Sequence, residues 1–201
     1  ADNLGWKLDL VHKGLADQTL LDSYTTEREF GADENILNST RATDFMTPKT
    51  EISRTFRDAV LTLAGKHPFA RPLVNSGRLS VPCVYDGFDL FTPDTLDAPA
   101  VTRPGASCPD APLDDGYVLD QLGSDFVVLA LNCEAEDLTA HSITTRTVHV
   151  AAPSDALRDR YLGAQTQAVY LIRPDQHVVG RWASFDRSLI VDAIETSIGK
   201  G

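Results

Sequence analysis

The chain has 201 residues, 42% hydrophobic and 23% charged, an ordinary globular composition that suffices for one large domain or a domain with an appendage. Its 29 acidic against 18 basic residues give a net charge of -11, which repels phosphate backbones and argues against a nucleic-acid partner. No apolar run approaches the roughly 20 residues that span a bilayer, no basic and apolar leader is present, and Cys83, Cys108 and Cys133 are too far apart for a disulfide framework or zinc site, so free thiols in a reducing cytoplasm are expected.

The chain opens at Ala1-Asp2-Asn3-Leu4 without an initiator methionine and already in helical pattern, which points to a piece of something longer. Leu4, Leu8, Val11 and Leu15 form a helical stripe, and Gly14 stands where a C-cap belongs. Thr19 to Asn38 continues as helix, with Leu20, Leu21 and Tyr24 on an apolar face and Glu27-Arg28-Glu29 polar; Gly31 marks a point of interruption before Ile36 and Leu37 resume. Thr47-Pro48 breaks the pattern, and Ile52, Phe56, Val60 and Leu63 then predict an amphipathic helix over 51–64. Residues 68–124 are rich in Pro, Gly and Asp and read as an irregular connector that wraps a surface and contains a domain boundary.

From Asp125 the pattern becomes α/β. Residues 126–131 form a continuous apolar run suited to a strand covered on both faces, and residues 147–151 form a second. Residues 155–162, capped at Pro153-Ser154, predict a short helix; 168–172 and 177–182 predict a hairpin across Arg173-Pro174-Asp175-Gln176; and 188–198 predict a closing helix with Leu189, Ile190, Ala193 and Ile194 inward. That order makes a small α/β sandwich with a mixed sheet.

Asn3-Leu4-Gly5-Trp6-Lys7-Leu8 together with Tyr24-Thr25-Thr26-Glu27-Arg28 resembles the phenol hydroxylase family, and the resemblance extends through Asn75-Ser76-Gly77-Arg78-Leu79-Ser80, Pro104-Gly105-Ala106-Ser107-Cys108-Pro109-Asp110 and Arg173-Pro174-Asp175-Gln176-His177-Val178. It implies FAD-dependent monooxygenases that hydroxylate phenolic rings with NAD(P)H and O2 and end in a thioredoxin-like domain. The fold class is therefore expected to be an N-terminal helical segment (1–66) from the end of the FAD domain, a connector (67–103) and a thioredoxin-like sandwich (104–201). The partners implied are the missing N-terminal FAD domain and a second copy in a homodimer. FAD and NAD(P)H belong to the parent, and none is expected on this stretch.

No catalytic, cofactor-binding or metal-binding residue is assigned. The position after the first core strand, where a thioredoxin places Cys-x-x-Cys, reads Cys133-Glu134-Ala135-Glu136, and Gln167 or a neighbour stands where the usual proline would be. With no resolving thiol and acidic neighbours that raise a thiolate pKa, disulfide exchange is not expected. The rival readings are a free-standing peroxiredoxin-like thiol protein using Cys133 and a thioredoxin-like binding module with no parent. Asp2 and Asn3 are read as packing or capping residues, Trp6 as packing its helix, Lys7 as snorkelling to water, Tyr24 as core, and Glu27 and Arg28 as a solvated face or a pair for the missing domain. His12, His67, His141, His149 and His177 show no metal spacing, and His149 is read as a buried, satisfied histidine. Ser107-Cys108-Pro109 is no nucleophile elbow, Asp114-Asp115 is turn chemistry before Gly116, and residues 86–97 lack a calcium-loop pattern. Arg173 and Asp175 are read as turn residues, with a docking surface as the functional option; Phe88, Leu90 and Phe91 are candidate contacts to a partner.

Overall fold

The structure is a computed structural model that describes residues 1–74 and 82–200; the Asn75-Ser76-Gly77-Arg78-Leu79-Ser80 motif lies outside the described residues. The chain gathers into two units, Ala1–Thr25 with residues 84–200, and Thr26–Cys83.

The larger unit is built on a sheet of β1 (Val127–Leu131), β4 (Arg146–Val150), β5 (Ala168–Ile172) and β6 (Val178–Trp182), in the order β4–β1–β5–β6. β1 runs parallel to β4 and antiparallel to β5, and β5 and β6 form the antiparallel hairpin. β1 and β5 are buried at every position, as their unbroken apolar sequences require. The mixed α/β sheet expected from the sequence is therefore present. α6 (Asp155–Leu157) starts where Ser154 accepts the Leu157 N–H and runs on as a π-helical turn over Arg158–Leu162. α7 (Arg187–Ser197) is capped by Asp186, which accepts from the Ser188 N–H at 2.9 Å. Ile190, Ala193 and Ile194 are fully buried, but Leu189 is 41% exposed: the stripe follows 190, 193–194 and 197, and Leu189 falls about 100° off it.

The connector is not a surface wrap. It supplies the short α5 (Val118–Gln121) and buries Tyr85, Leu90, Phe91, Leu96, Ala106, Cys108 and Ala111. Its backbone pairs with the outer edge of β6: Thr92 donates to Val179 at 2.9 Å, Gly105 donates to Val178 at 2.8 Å, and Val178 donates to Ala106 at 2.9 Å. An open strand edge is thereby covered. Leu90 and Phe91 are each 8% exposed and belong to the core rather than to a partner contact, while Phe88 is half-buried beside Tyr85. At Asp114-Asp115-Gly116 the chain turns with Gly116 at φ +79°, as expected. The hairpin of β2 (Thr139–Ala140) and β3 (Ile143–Thr144) carries no sequence signal. His141 and Ser142 take positive φ at its tip, without the usual Asn-Gly. His149 is exposed, not buried, because β4 is an edge strand with only Val148 fully inward.

α1 (Asp2–His12) belongs to this unit and ends with Gly14 at φ +70°. Its buried face is Asn3, Trp6, Lys7 and Leu10, rotated from the expected stripe; Leu8 is 47% exposed. A 3-10 turn over Gln18–Leu21 then leads into α2 (Asp22–Met46).

In the second unit α2 passes through Gly31 without interruption. A Cβ there would lie 3.0 Å from the Cys83 sulfur, so the glycine makes room rather than breaking the helix. α3 (Glu51–Lys66) is capped by Thr50, whose hydroxyl accepts the Ser53 N–H, and a short α4 (Arg71–Val74) follows. Of the α3 stripe only Val60 is buried; Ile52 is 84% and Phe56 65% exposed. Glu27, expected on a solvated face, is fully buried, and Tyr24 is half-buried rather than core.

Candidate functional site

Three places in the larger unit bring chemistry-bearing side chains together. The first lies under α1. Arg173 of the β5–β6 hairpin is 1% exposed and grips Asp175 with two hydrogen bonds, Nε to Oδ1 at 2.8 Å and Nη2 to Oδ2 at 2.7 Å. Its guanidinium lies 5.1 Å from the Trp6 ring centre and 4.7 Å from that of Phe91. Asn3 donates from Nδ2 to the same carboxylate at 2.9 Å, and His177 Nδ1 lies 3.3 Å from it. Trp6 meets Phe126 edge-to-face with ring centres 5.9 Å apart. Burial pushes the Asp175 carboxyl up, but the His177 hydrogen bond and the charge and hydrogen bonds of Arg173 outweigh it and hold the group far below the usual carboxylate range. Asp175 is therefore an anion locked in place, unfit as a general base. Both residues are turn residues, as expected, but they are buried and cannot form a docking surface. Lys7 is likewise fully buried and donates to Ser23 Oγ at 2.8 Å instead of snorkelling.

The second place is the tie between connector and sheet. Arg181, 2% exposed, binds Asp94 at 2.9 and 2.7 Å and donates to the Ala98 and Pro99 carbonyls. Burial pushes Asp94 up, yet the Arg181 bond and charge win and hold it below its ordinary value. Of the carboxylates in residues 86–97, Asp94 pairs with Arg181 and Asp86 with Arg103 at 3.6 Å, and among the described residues no cluster of three metal-ligating side chains occurs.

The third place is the thioredoxin-type position. Cys133 follows Asn132 (φ +55°) at the end of β1, and a cavity of about 440 Å3 is lined there by Asn132, Cys133, Glu134, His149, Val150 and Ala151. Burial, and then the charge of Glu134, push the Cys133 thiol up; only a backbone hydrogen bond opposes them. Cys108, buried against Tyr161, is pushed up to about 12, mainly by burial. Gln167 occupies the expected proline position and donates to the Ala183 carbonyl at 2.9 Å. Neither thiol is poised as a nucleophile. In the native chain at pH 7, Cys108 is expected to react with a disulfide reagent at least about 100-fold more slowly than in urea, with Cys133 slower than a free thiol. A Cys133 that reacts faster than free cysteine would restore the peroxiredoxin-like reading.

A concavity of about 780 Å3 flanks α1 and is lined by residues of the helix (Ala1, Asp2, Gly5, Trp6, Asp9, Lys13), of 122–125 and of 174–176. Lys13 is already held by Asp9 at 2.7 Å. The FAD that the resemblance implies carries a diphosphate, which requires cations or free backbone N–H groups. The carboxylates of Asp2, Asp9 and Asp125 offer the opposite, so this lining does not fit it.

No family model matches the chain. An uncharacterized aromatic compound monooxygenase, YhjG of Bacillus subtilis (strain 168), is 34% identical over 195 residues, covering 91% of this chain and 34% of that protein. A 3-(3-hydroxy-phenyl)propionate/3-hydroxycinnamic acid hydroxylase of Mycolicibacterium smegmatis is 29% identical over 208 residues, covering 90% and 37%. The chain thus spans about a third of the length of these curated relatives. Among solved structures, the flavin-dependent monooxygenase PieE in complex with FAD and substrate superposes with a TM-score of 0.67 at 20% identity over 100% of this chain and 43% of its own. RebC soaked with K252c gives 0.67 at 21% over 100% and 40%. In sequence the chain is similar to a stretch about a third the length of aromatic-compound monooxygenases and hydroxylases, and in fold it matches part of flavin-dependent monooxygenases.

Proposed function

We propose that this chain is the C-terminal part of a longer enzyme that hydroxylates a phenolic or other aromatic ring with FAD, NAD(P)H and O2, and that within it this part is a structural and oligomerisation module without redox activity of its own. The observation that carries the reading is the uncovered helical unit. Ile36, Met46, Ile52, Phe56, Phe69 and Leu73, all in this unit, are 62–84% exposed, and large apolar side chains left open in number favour an interaction surface. A helix keeps such a stripe when a partner covers it. The rest of the parent, or a second copy, is the cover this reading supplies. The strand order β4–β1–β5–β6 with its single parallel pair supports a thioredoxin-like sandwich, and the absence of a second cysteine near Cys133 supports its redox silence. In this reading FAD is held by the preceding two thirds of the parent, and this chain excludes water and braces that body.

The chain alone is expected to bind FAD more weakly than micromolar and to oxidise no NAD(P)H, whereas the longer polypeptide does both. Alone at tens of micromolar it is expected to scatter light with at least twice the mass of a 21.9 kDa monomer, and Ile52→Lys with Phe56→Lys is expected to return it toward monomer. Tight FAD binding by the chain alone, or a clean monomer before substitution, would overturn the reading.

A further inference from the structure

α3 carries an apolar stripe that its own unit leaves open. Ile52, Phe56, Ala59 and Leu63 repeat at steps of four, three and four, the spacing that seats one helix against another. Ile52 is 84%, Phe56 65% and Leu63 38% exposed, and Ala59 is exposed with them. Val60, about 100° round the helix from Ala59, is the residue that α3 buries. Ser53, Thr55 and Thr62 flank the stripe with uncharged side chains. Residues 26–83 carry 8 basic and 7 acidic side chains, so the acidic excess of the chain lies wholly outside them. Two copies with a net charge of -11 repel one another over most of their surface, and this near-neutral stretch is where they can approach.

The stripe is complementary to itself in one orientation. Laid antiparallel about a two-fold axis midway between Arg57 and Asp58, Ile52 meets Leu63 of the second copy and Phe56 meets its Ala59. A ring then falls on a methyl group, and the aliphatic side chains close the seam at both ends. Laid parallel, Phe56 would meet Phe56 and Ala59 would meet Ala59, which crowds one layer and empties the next. We propose that α3 pairs antiparallel with α3 of a second copy, with this stripe as the seam. The assignment deepens the oligomerisation role proposed above and rests on it. Met46 and Phe69, 68% and 72% exposed, stand just before and just after α3 in the chain, at the ends that antiparallel pairing brings together. Three large side chains from each copy put the seam at the low end of specific interfaces, so the dimer is expected to come apart on dilution.

Ile52→Cys and Leu63→Cys proteins, one of them carrying a mass tag, are mixed and mildly oxidised, and the links are mapped by mass spectrometry. A disulfide needs Cα atoms within about 7 Å. In the antiparallel seam residue 52 faces residue 63, while the two copies of residue 52 stand roughly 16 Å apart along the axis. The mixed 52–63 disulfide is therefore expected to dominate, in this chain and in the longer natural polypeptide alike. Ala59→Phe, at an exposed position, is expected to weaken association at least about fivefold by crowding Phe56 of the other copy. Phe56→Ala combined with Ala59→Phe exchanges the two partners and is expected to restore it, as read by sedimentation. Like-with-like disulfides, a mixed disulfide absent from the longer polypeptide, an Ala59→Phe protein that associates as tightly as its parent, or an exchanged variant no tighter than Ala59→Phe would each overturn the assignment. A dimer without the mixed disulfide removes only the α3 seam and leaves the oligomerisation role; a clean monomer removes both.

Discussion

Replacing Arg173 with alanine is expected to cost about 3–5 kcal/mol of folding stability, because it strands the Asp175 carboxylate without its cation in the interior. The Arg173 and Asp175 side chains are 0% and 2% exposed, so water cannot take over the lost bonds. The same substitution opens a space between Trp6 and Phe91, whose rings flank the guanidinium. Arg173→Lys should recover less than half of the loss, since an ammonium offers neither the two-pronged grip nor a flat face to the rings. Arg173→Met combined with Asp175→Asn should cost clearly less than Arg173→Ala alone, because no charge is then left unpaired. Urea unfolding at pH 7 reads all three, and a loss under about 1 kcal/mol for Arg173→Ala would show that the pair contributes little. For a domain of this size about 4 kcal/mol corresponds to a Tm drop of roughly 8–16 °C.

The same carboxylate sets an acid limit. Asp175 titrates in the folded chain far below its unfolded value of about 3.9. Its contribution is therefore fully present above about pH 5 and is lost progressively as pH falls below that, through the unfolded value and toward the folded one. In Asp175→Asn the acid limb of the stability profile should flatten while the neutral value drops. An unchanged acid limb would mean that other carboxylates govern the profile.

The sheet was legible from sequence because its signal is local. Residues 126–131 and 168–172 are unbroken apolar runs of strand length, rich in β-branched and aromatic residues, as strands buried on both faces are. Ser154, Asp186 and Thr50 mark helix starts through side-chain chemistry that acts within three residues. What failed depended on distant neighbours. Lys7 and Glu27 read as solvated because nothing within a helical turn hints at what buries them, and Arg173 and Asp175 read as an ordinary turn although Asn3 and Phe91 close over them from far along the chain. Leu90 and Phe91 read as exposed because their segment has no periodicity; its order comes from hydrogen bonds to β6, which a local pattern does not encode. His149 failed for the opposite reason, since an apolar stretch does not reveal that its strand lies at an edge.

Pro104-Gly105, part of the stretch that resembles the family, shows how such a motif follows from backbone geometry, and it yields the second large effect. Gly105 sits at φ +85°, and a Cβ added there would lie 2.5 Å from the Tyr85 carbonyl oxygen and 2.8 Å from its carbon. Gly105 also receives the Tyr85 N–H at 3.0 Å and donates to Val178 at 2.8 Å, so it is the point where the connector is pinned between its own earlier turn and β6. Gly105→Ala therefore meets two costs. The left-handed conformation disfavours any Cβ by about 1–2 kcal/mol, and relieving the collision breaks at least one of the two backbone bonds, at about 1 kcal/mol each, besides loosening the packing around fully buried Tyr85. The expected loss is about 3 kcal/mol or more. Gly87→Ala is the matched control: its φ is +77°, but an added Cβ meets nothing within 4 Å, so it should show the conformational cost alone, about 1–2 kcal/mol. Equal losses for the two variants in parallel urea titrations would mean that the Gly105 backbone yields freely and that its glycine is needed only for the turn.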